Sequence, residues 1–201
     1  MKLIKRLTTM LVLLALIFST LPAQAVEPLN YMAEIITALT AGDVDHARIL
    51  NAERNAKIDS MDYCPHPKID TDDLFLLSKV MTSEAGSSWL SDDWKIRVGE
   101  VLLNRVASPE FPDTIHDVVF QCGQYGGVNT RYFANLRPNE HMVKLALRLL
   151  EGERTMHPSV VFQAEFRQGS GTHTAYYDKY LGWVYFCYSS RTWLYEQGEA
   201  Q

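Results

Sequence analysis

Cysteine is scarce in this chain, metal-ligand spacing is missing, and no long apolar run follows residue 25. Three cysteines occur in 201 residues: Cys64, Cys122 and Cys187. An odd count leaves at least one unpaired within the chain, and no Cys-x-x-Cys sets two at the spacing of a zinc or redox site. Cys122 with Cys187 is the pairing expected, because both flank core-like segments. The six histidines, at 46, 66, 116, 141, 157 and 173, are scattered, and "NEHM" is not His-Glu-x-x-His. No metal and no other cofactor is therefore expected. The 19 basic residues form no stripe and are outnumbered by 24 acids, which argues against nucleic acid as a partner.

What is present begins with a leader. Lys2, Lys5 and Arg6 precede the short apolar run "MLVLLALIFST", and "AQA" (residues 23–25) supplies small residues for cleavage. This is the pattern of a secretory signal peptide cut between Ala25 and Val26. The run is well short of the roughly 20 residues that span a bilayer. Removing it takes the formal charge from −5 to −8. An exported, soluble protein without a transmembrane segment is expected, secreted or held in the cell envelope, in an oxidising compartment and as a monomer.

The rest reads as a short helical hairpin over 26–57, a linker over 58–70 and one main domain over 71–201. The hairpin turns at "AGD", with Ile35, Ile36 and Leu39 on one stripe and Ala47, Ile49 and Leu50 on the next. It either docks on the main domain or serves as a spacer. In the main domain "DTDDLFLLSKVMTSEAG" is a helix capped by Thr71 or Asp72 and stopped by Gly86. "SDDWKIRVGEVLLNRVASP", capped by Ser91 or Asp92, is apolar on most sides and reads as the central buried helix. "DTIHDVVFQ" is a short helix with Thr114 and Asp117 spaced as a capping box. "PNEHMVKLALRLLEGE" is an amphipathic helix stopped by Gly152. "SVVFQAEF" and "GWVYFCYS" then read as two antiparallel strands joined by a long loop. The fold class expected is α+β, a helical body with a small antiparallel β-hairpin.

In "VMTSEAGSSW", Glu84 ends an apolar helix. Leu74, Leu77, Met81 and Glu84 share one face, so the carboxyl is expected to point to the core or a cleft. Burial and the negative end of the helix dipole both favour its protonated form. A general acid working near neutral pH needs that property. The plain alternative is a solvated helix end, with the carboxylate bonded to a nearby amide or to Lys79. Glu100, one turn from Ile96, Arg97 and Asn104, reads as a hydrogen-bonded structural acid and is the fallback acid. Gln124, Tyr125, Trp89, Tyr132 and Phe133 are candidate ligand contacts, offering aromatic faces as platforms and a side-chain amide; core packing is the competing role. Gln163 and Glu165 alternate with Phe162 and Phe166 on a strand, so they face a cleft or plain solvent. Asn104 and Arg105 read as ties between helices, and Asp117 as a cap of its own helix.

Four elements together resemble the cell-wall hydrolase family of the spore-cortex-lytic (SleB) type. They are the helix ending in Glu-Ala, the "LNRV" of the next helix, the "SP-x-FP-x-TI-x-x-VV-x-Q" segment and a "GQ-aromatic" loop, over about residues 72 to 126. The match from there to about 188 is one of texture. The resemblance implies a lysozyme-like fold. It also implies cleavage of the β-1,4 bond between N-acetylmuramic acid and N-acetylglucosamine in peptidoglycan, in the manner of a lytic transglycosylase. One glutamic acid protonates the glycosidic oxygen, then takes the proton of the C6 hydroxyl as a 1,6-anhydro ring closes. On this carry-over the acid is Glu84, and Gln124, Tyr125, Trp89 and Gln163 line the glycan groove.

The chain departs from the family pattern. Ser88 stands where many members have a second glutamate. The stretch from Glu84 to Asn104 is about two residues longer than usual, and "GWVYFCY" lacks a histidine often found before the last strand. Two other functions compete: an amidase cutting the muramoyl–alanine bond, commonly with zinc, and a silent envelope module that only binds peptidoglycan.

Overall fold

The computed structural model describes residues 27–61 and 67–195. The leader, Cys64 and the middle of the stretch read as a linker (residues 62–66) lie outside them. Seven α-helices are described: α1 (Glu27–Ala41), α2 (Val44–Asp59), α3 (Thr71–Ala85), α4 (Asp92–Val106), α5 (Ile115–Phe120), α6 (Arg131–Asn135) and α7 (Glu140–Leu150). Three strands follow: β1 (Val160–Ala164), β2 (Thr172–Asp178) and β3 (Gly182–Tyr188). The class is α+β. Among the described residues no helix is long and apolar enough to cross a membrane.

The α1–α2 hairpin docks. Met32, Ile35, Ile36 and Leu39 join Leu74, Leu77, Met142 and Leu149 in one hydrophobic core. Polar ties reinforce the seam: Asn51 Nδ2 donates to the Ile69 carbonyl at 2.7 Å, and Arg48 Nη2 meets the Asp72 carboxylate at 2.7 Å. Ile49, placed on the buried stripe by periodicity, is 59% exposed. Gly42 at the turn has φ 78°, and a Cβ there would meet Arg137 Cζ at 2.1 Å. Backbone and neighbour both require glycine at this position.

α4 is buried on nearly every side for a specific reason: it separates two cores. Ile96, Leu102 and Leu103 face the helical core. Trp94, Val98 and Val101 face a second core closed by Met156, Val160 and Phe186 beneath the sheet. Ser91 caps α4 by accepting from Trp94 N. At α3 the cap is Asp70, one residue before the two candidates, and its carboxylate accepts from Asp72 N and Asp73 N. In α5 Thr114 is the cap, accepting from Asp117 N at 3.0 Å, while the Asp117 carboxylate pairs with His116 rather than capping.

The sheet has three strands, not two. β2 lies inside "RQGSGTHTAYYDKY", the segment read as a loop, and the order is β1-β3-β2 with both pairings antiparallel. Its Thr and Tyr residues are strand formers, but Gly, His and Asp around them mask the alternation. Arg97 Nε donates to the Tyr176 hydroxyl at 2.8 Å, and that hydroxyl bonds Asp93, so β2 is latched to the first turns of α4. Burial first, then the hydrogen bond and charge of Asp93, push the Tyr176 phenol up to about 12, against the opposing pull of Arg97.

The expected Cys122–Cys187 disulfide is absent, and both thiols are free. Cys187 is fully buried on β3 with its Sγ 3.8 Å from the Thr172 hydroxyl, whereas Cys122 lies exposed in the turn after α5. Flanking core segments does not bring two thiols within bridging distance.

Candidate active site

Glu84 lies on the last turn of α3, where that helix passes from one core to the other. Met81 before it belongs to the helical core and Ala85 after it to the core beneath the sheet. The side chain continues the Leu74–Leu77–Met81 stripe but is not buried like them: water reaches it. A carboxyl open to water on one side is still desolvated by protein on the others. That desolvation is the dominant influence and pushes its pKa above the ordinary value; the charge of Arg105 opposes it in part. Glu84 is thus exposed rather than turned into the core as its stripe predicts, and its carboxyl is biased towards holding its proton.

Arg105 is held in place by its own contacts. It is 5% exposed, and its Nε donates to the Val161 carbonyl at 2.7 Å. Its guanidinium lies over the rings of Phe111 and Tyr125, at 5.3 and 5.4 Å from their centroids. Tyr125 from the "GQY" loop completes the group. Burial pushes its phenol up; the charge and hydrogen bond of Arg105 pull it down, and the charge of Glu84 pushes it up. Arg105 and Tyr125 are thus in ring contact, and each is coupled electrostatically to the Glu84 carboxyl.

Other candidates lie elsewhere. Gln124 is exposed beside Tyr125. Trp89, in the loop after α3, is 59% exposed and sets its ring edge-on against Tyr180, 5.7 Å between centroids. Gln163 is half-buried on β1 opposite Phe186, and Glu165 is exposed. Tyr132 is exposed on α6 and lines a hollow of about 620 Å³ with Arg131 and Asn135. Phe133 is no platform: it is buried in the helical core, with the Lys79 ammonium 4.7 Å from its centroid. Lys79 Nζ also donates to the Ala134 carbonyl at 3.2 Å. Ser88 is exposed.

Glu100 has a different environment. It is fully buried, and its carboxylate accepts from Thr155 N, Thr155 Oγ1 and Met156 N at 2.7–2.9 Å. Asn104 Nδ2 donates to the His157 and Val160 carbonyls at 3.2 and 3.1 Å. The "LNRV" polar pair ties α4 to β1 rather than helix to helix, and Arg105 reaches Tyr125 as well. Reading Arg105 as a tie missed that second role. Its one sequence signal is a cation in the last turn of a helix that is apolar on most sides.

Among the described residues no group of three His, Cys, Asp or Glu is arranged to hold a metal. No curated protein and no solved structure matches the chain. A family model does: the one described as Cell Wall Hydrolase matches residues 91–187, from the cap of α4 to the end of β3, and begins just after Glu84. Over that stretch the chain matches the cell wall hydrolase family, the SleB-type family its motifs resemble.

Proposed function

We propose that the protein cleaves peptidoglycan glycan strands as a lytic transglycosylase, at the β-1,4 bond between N-acetylmuramic acid and N-acetylglucosamine. The family supports a peptidoglycan-hydrolysing role. The observation that carries the finer reading is the Glu84 carboxyl: open to water, raised in pKa by burial, and opposed in this by the Arg105 cation, with no second acid acting on it. Protonated Glu84 gives its proton to the glycosidic oxygen as the bond to C1 breaks. The resulting carboxylate takes the proton of the muramoyl C6 hydroxyl as O6 bonds C1. No water is consumed, and the acid form is regenerated. The Arg105 guanidinium steadies the carboxylate between the two steps, at the moment when the negative charge exists.

This differs from the two-carboxylate plan of most glycosidases, and Ser88 in place of a second glutamate is compatible with it. The leader pattern supports export to the envelope, where this polymer lies. Digestion of purified peptidoglycan followed by mass spectrometry tests the reaction. Muropeptides carrying a 1,6-anhydro end, about 18 Da lighter than hydrolysed ones, are expected. Reducing ends alone would reject ring closure, and release of free stem peptides would point to an amidase.

The raised pKa of Glu84 also fixes the pH profile. The working form is the acid, so activity is expected to fall as pH rises through the folded-state pKa. That pKa lies above the ordinary 4.5. The alkaline limb of kcat/KM on soluble glycan fragments should therefore sit above that of an ordinary glutamate. A limb at or below it would remove Glu84 as the proton donor.

A further inference from the structure

We propose that the outer face of the β2–β3 hairpin is a second binding site for the glycan strand, a platform of exposed aromatic rings beyond the cleavage site. It rests on the reading of peptidoglycan as substrate. The antiparallel register sets Tyr177 opposite Trp183. Their rings lie 5.4 Å apart, and Trp183 runs nearly parallel to Tyr185 at 5.8 Å, 20° between planes.

The fold does not need these rings outside. The inner face of the same strands (Tyr176, Val184 and Phe186) already packs on the second core. Yet Tyr177 is 63%, Tyr180 70% and Trp183 50% exposed. A cluster of large exposed rings on a small sheet marks a recognition surface rather than a packing one. The turn that presents them is built to hold shape. The Asp178 carboxylate accepts from Tyr180 N and Leu181 N at 2.8 and 3.0 Å, and Gly182 supplies φ 76°.

Two features identify the occupant as a strand of N-acetylated hexosamines. The first is continuity with the site: Trp89, five residues after Glu84, touches Tyr180 edge-on. A polymer crossing the cleavage point is thus led onto the hairpin. The second is chemistry. Pyranose C–H faces lie on aromatic rings, and the cations poised over two of them, Arg167 above Tyr185 and Lys179 above Tyr180, suit the carboxylates of attached stem peptides. Phenolic hydroxyls and cations at the rings fit such a polymer better than a flat apolar partner.

The test uses Glu84→Gln protein, so that substrate is not consumed, and sedimentation with purified peptidoglycan sacculi. Adding Trp183→Ala with Tyr177→Ala is expected to weaken binding about tenfold or more, and Tyr180→Ala alone to weaken it by less. Trp193→Ala, removing another exposed ring (58% exposed), should leave it unchanged. Circular dichroism and urea melts establish that the variants fold. Undiminished binding by folded strip variants overturns the platform. So does a wild-type dimer in solution that the strip substitutions dissolve while sacculus binding persists. Strip-dependent binding without any turnover by the Glu84 form would keep the platform and sink the enzymatic reading. Turnover with strip-independent binding would do the reverse.

Discussion

Glu84→Gln is expected to abolish anhydromuropeptide release, with kcat reduced about 1,000-fold or more and sacculus binding retained. A general acid contributes roughly 10²–10⁴-fold, and here one carboxyl serves both proton transfers, so its loss is felt twice. The substitution should not cost stability. Because the folded pKa of Glu84 is raised, the fold favours the protonated form. Its stabilising contribution is present below the unfolded pKa and is lost as pH rises through the folded one. The neutral amide mimics that form at every pH. The Gln variant should therefore unfold in urea at neutral pH no earlier than wild type. A variant that loses turnover while its urea midpoint is unchanged or higher identifies Glu84 as chemical. A folded variant with undiminished turnover removes it from the site.

The legible parts of this fold were those written as local patterns. The stripe of Leu74, Leu77 and Met81 marks the buried face of α3, and Ser91 marks the start of α4. What periodicity could not supply was the identity of the partner surfaces. α4 reads as a helix without a polar face; only the structure shows two cores on opposite sides of it. Phe133 and Tyr132 are adjacent aromatics with opposite fates, because in the short α6 one rotates into the helical core and the other out. β2 went unread because its inner and outer faces are both aromatic, through Tyr176 and Tyr177, so apolar and polar residues do not alternate. At the candidate site, helix position points to Glu84 and the "GQY" loop to Tyr125. Arg105 was not legible, since its effect on Glu84 is a through-space charge effect between residues 21 positions apart in the sequence. The sequence-level guess about Cys122 and Cys187 failed for a related reason: depth in the fold is not a local property.

Glu100→Ala should be the most damaging single truncation of a carboxylate in the described fold, destabilising it by about 3–4 kcal/mol. The carboxylate serves as the docking point of the segment leading from α7 into β1. Its two oxygens take the backbone N–H of Thr155 and Met156 and the Thr155 hydroxyl. Alanine leaves those donors without their acceptor and opens a void in a side chain that is 0% exposed, so the costs of unmet hydrogen bonds and of a cavity combine. Glu100→Gln keeps one acceptor oxygen for both backbone donors, and its new amide can donate to the Thr155 hydroxyl. The expected loss is then only about 1–2 kcal/mol. Urea denaturation of the two variants measures both. The same pair decides which acid does chemistry. With Glu100 structural, Glu100→Gln keeps near wild-type turnover below its melting range, whereas Glu84→Gln has none while fully folded. A Glu100→Gln protein that is stable but inactive would exchange the two roles.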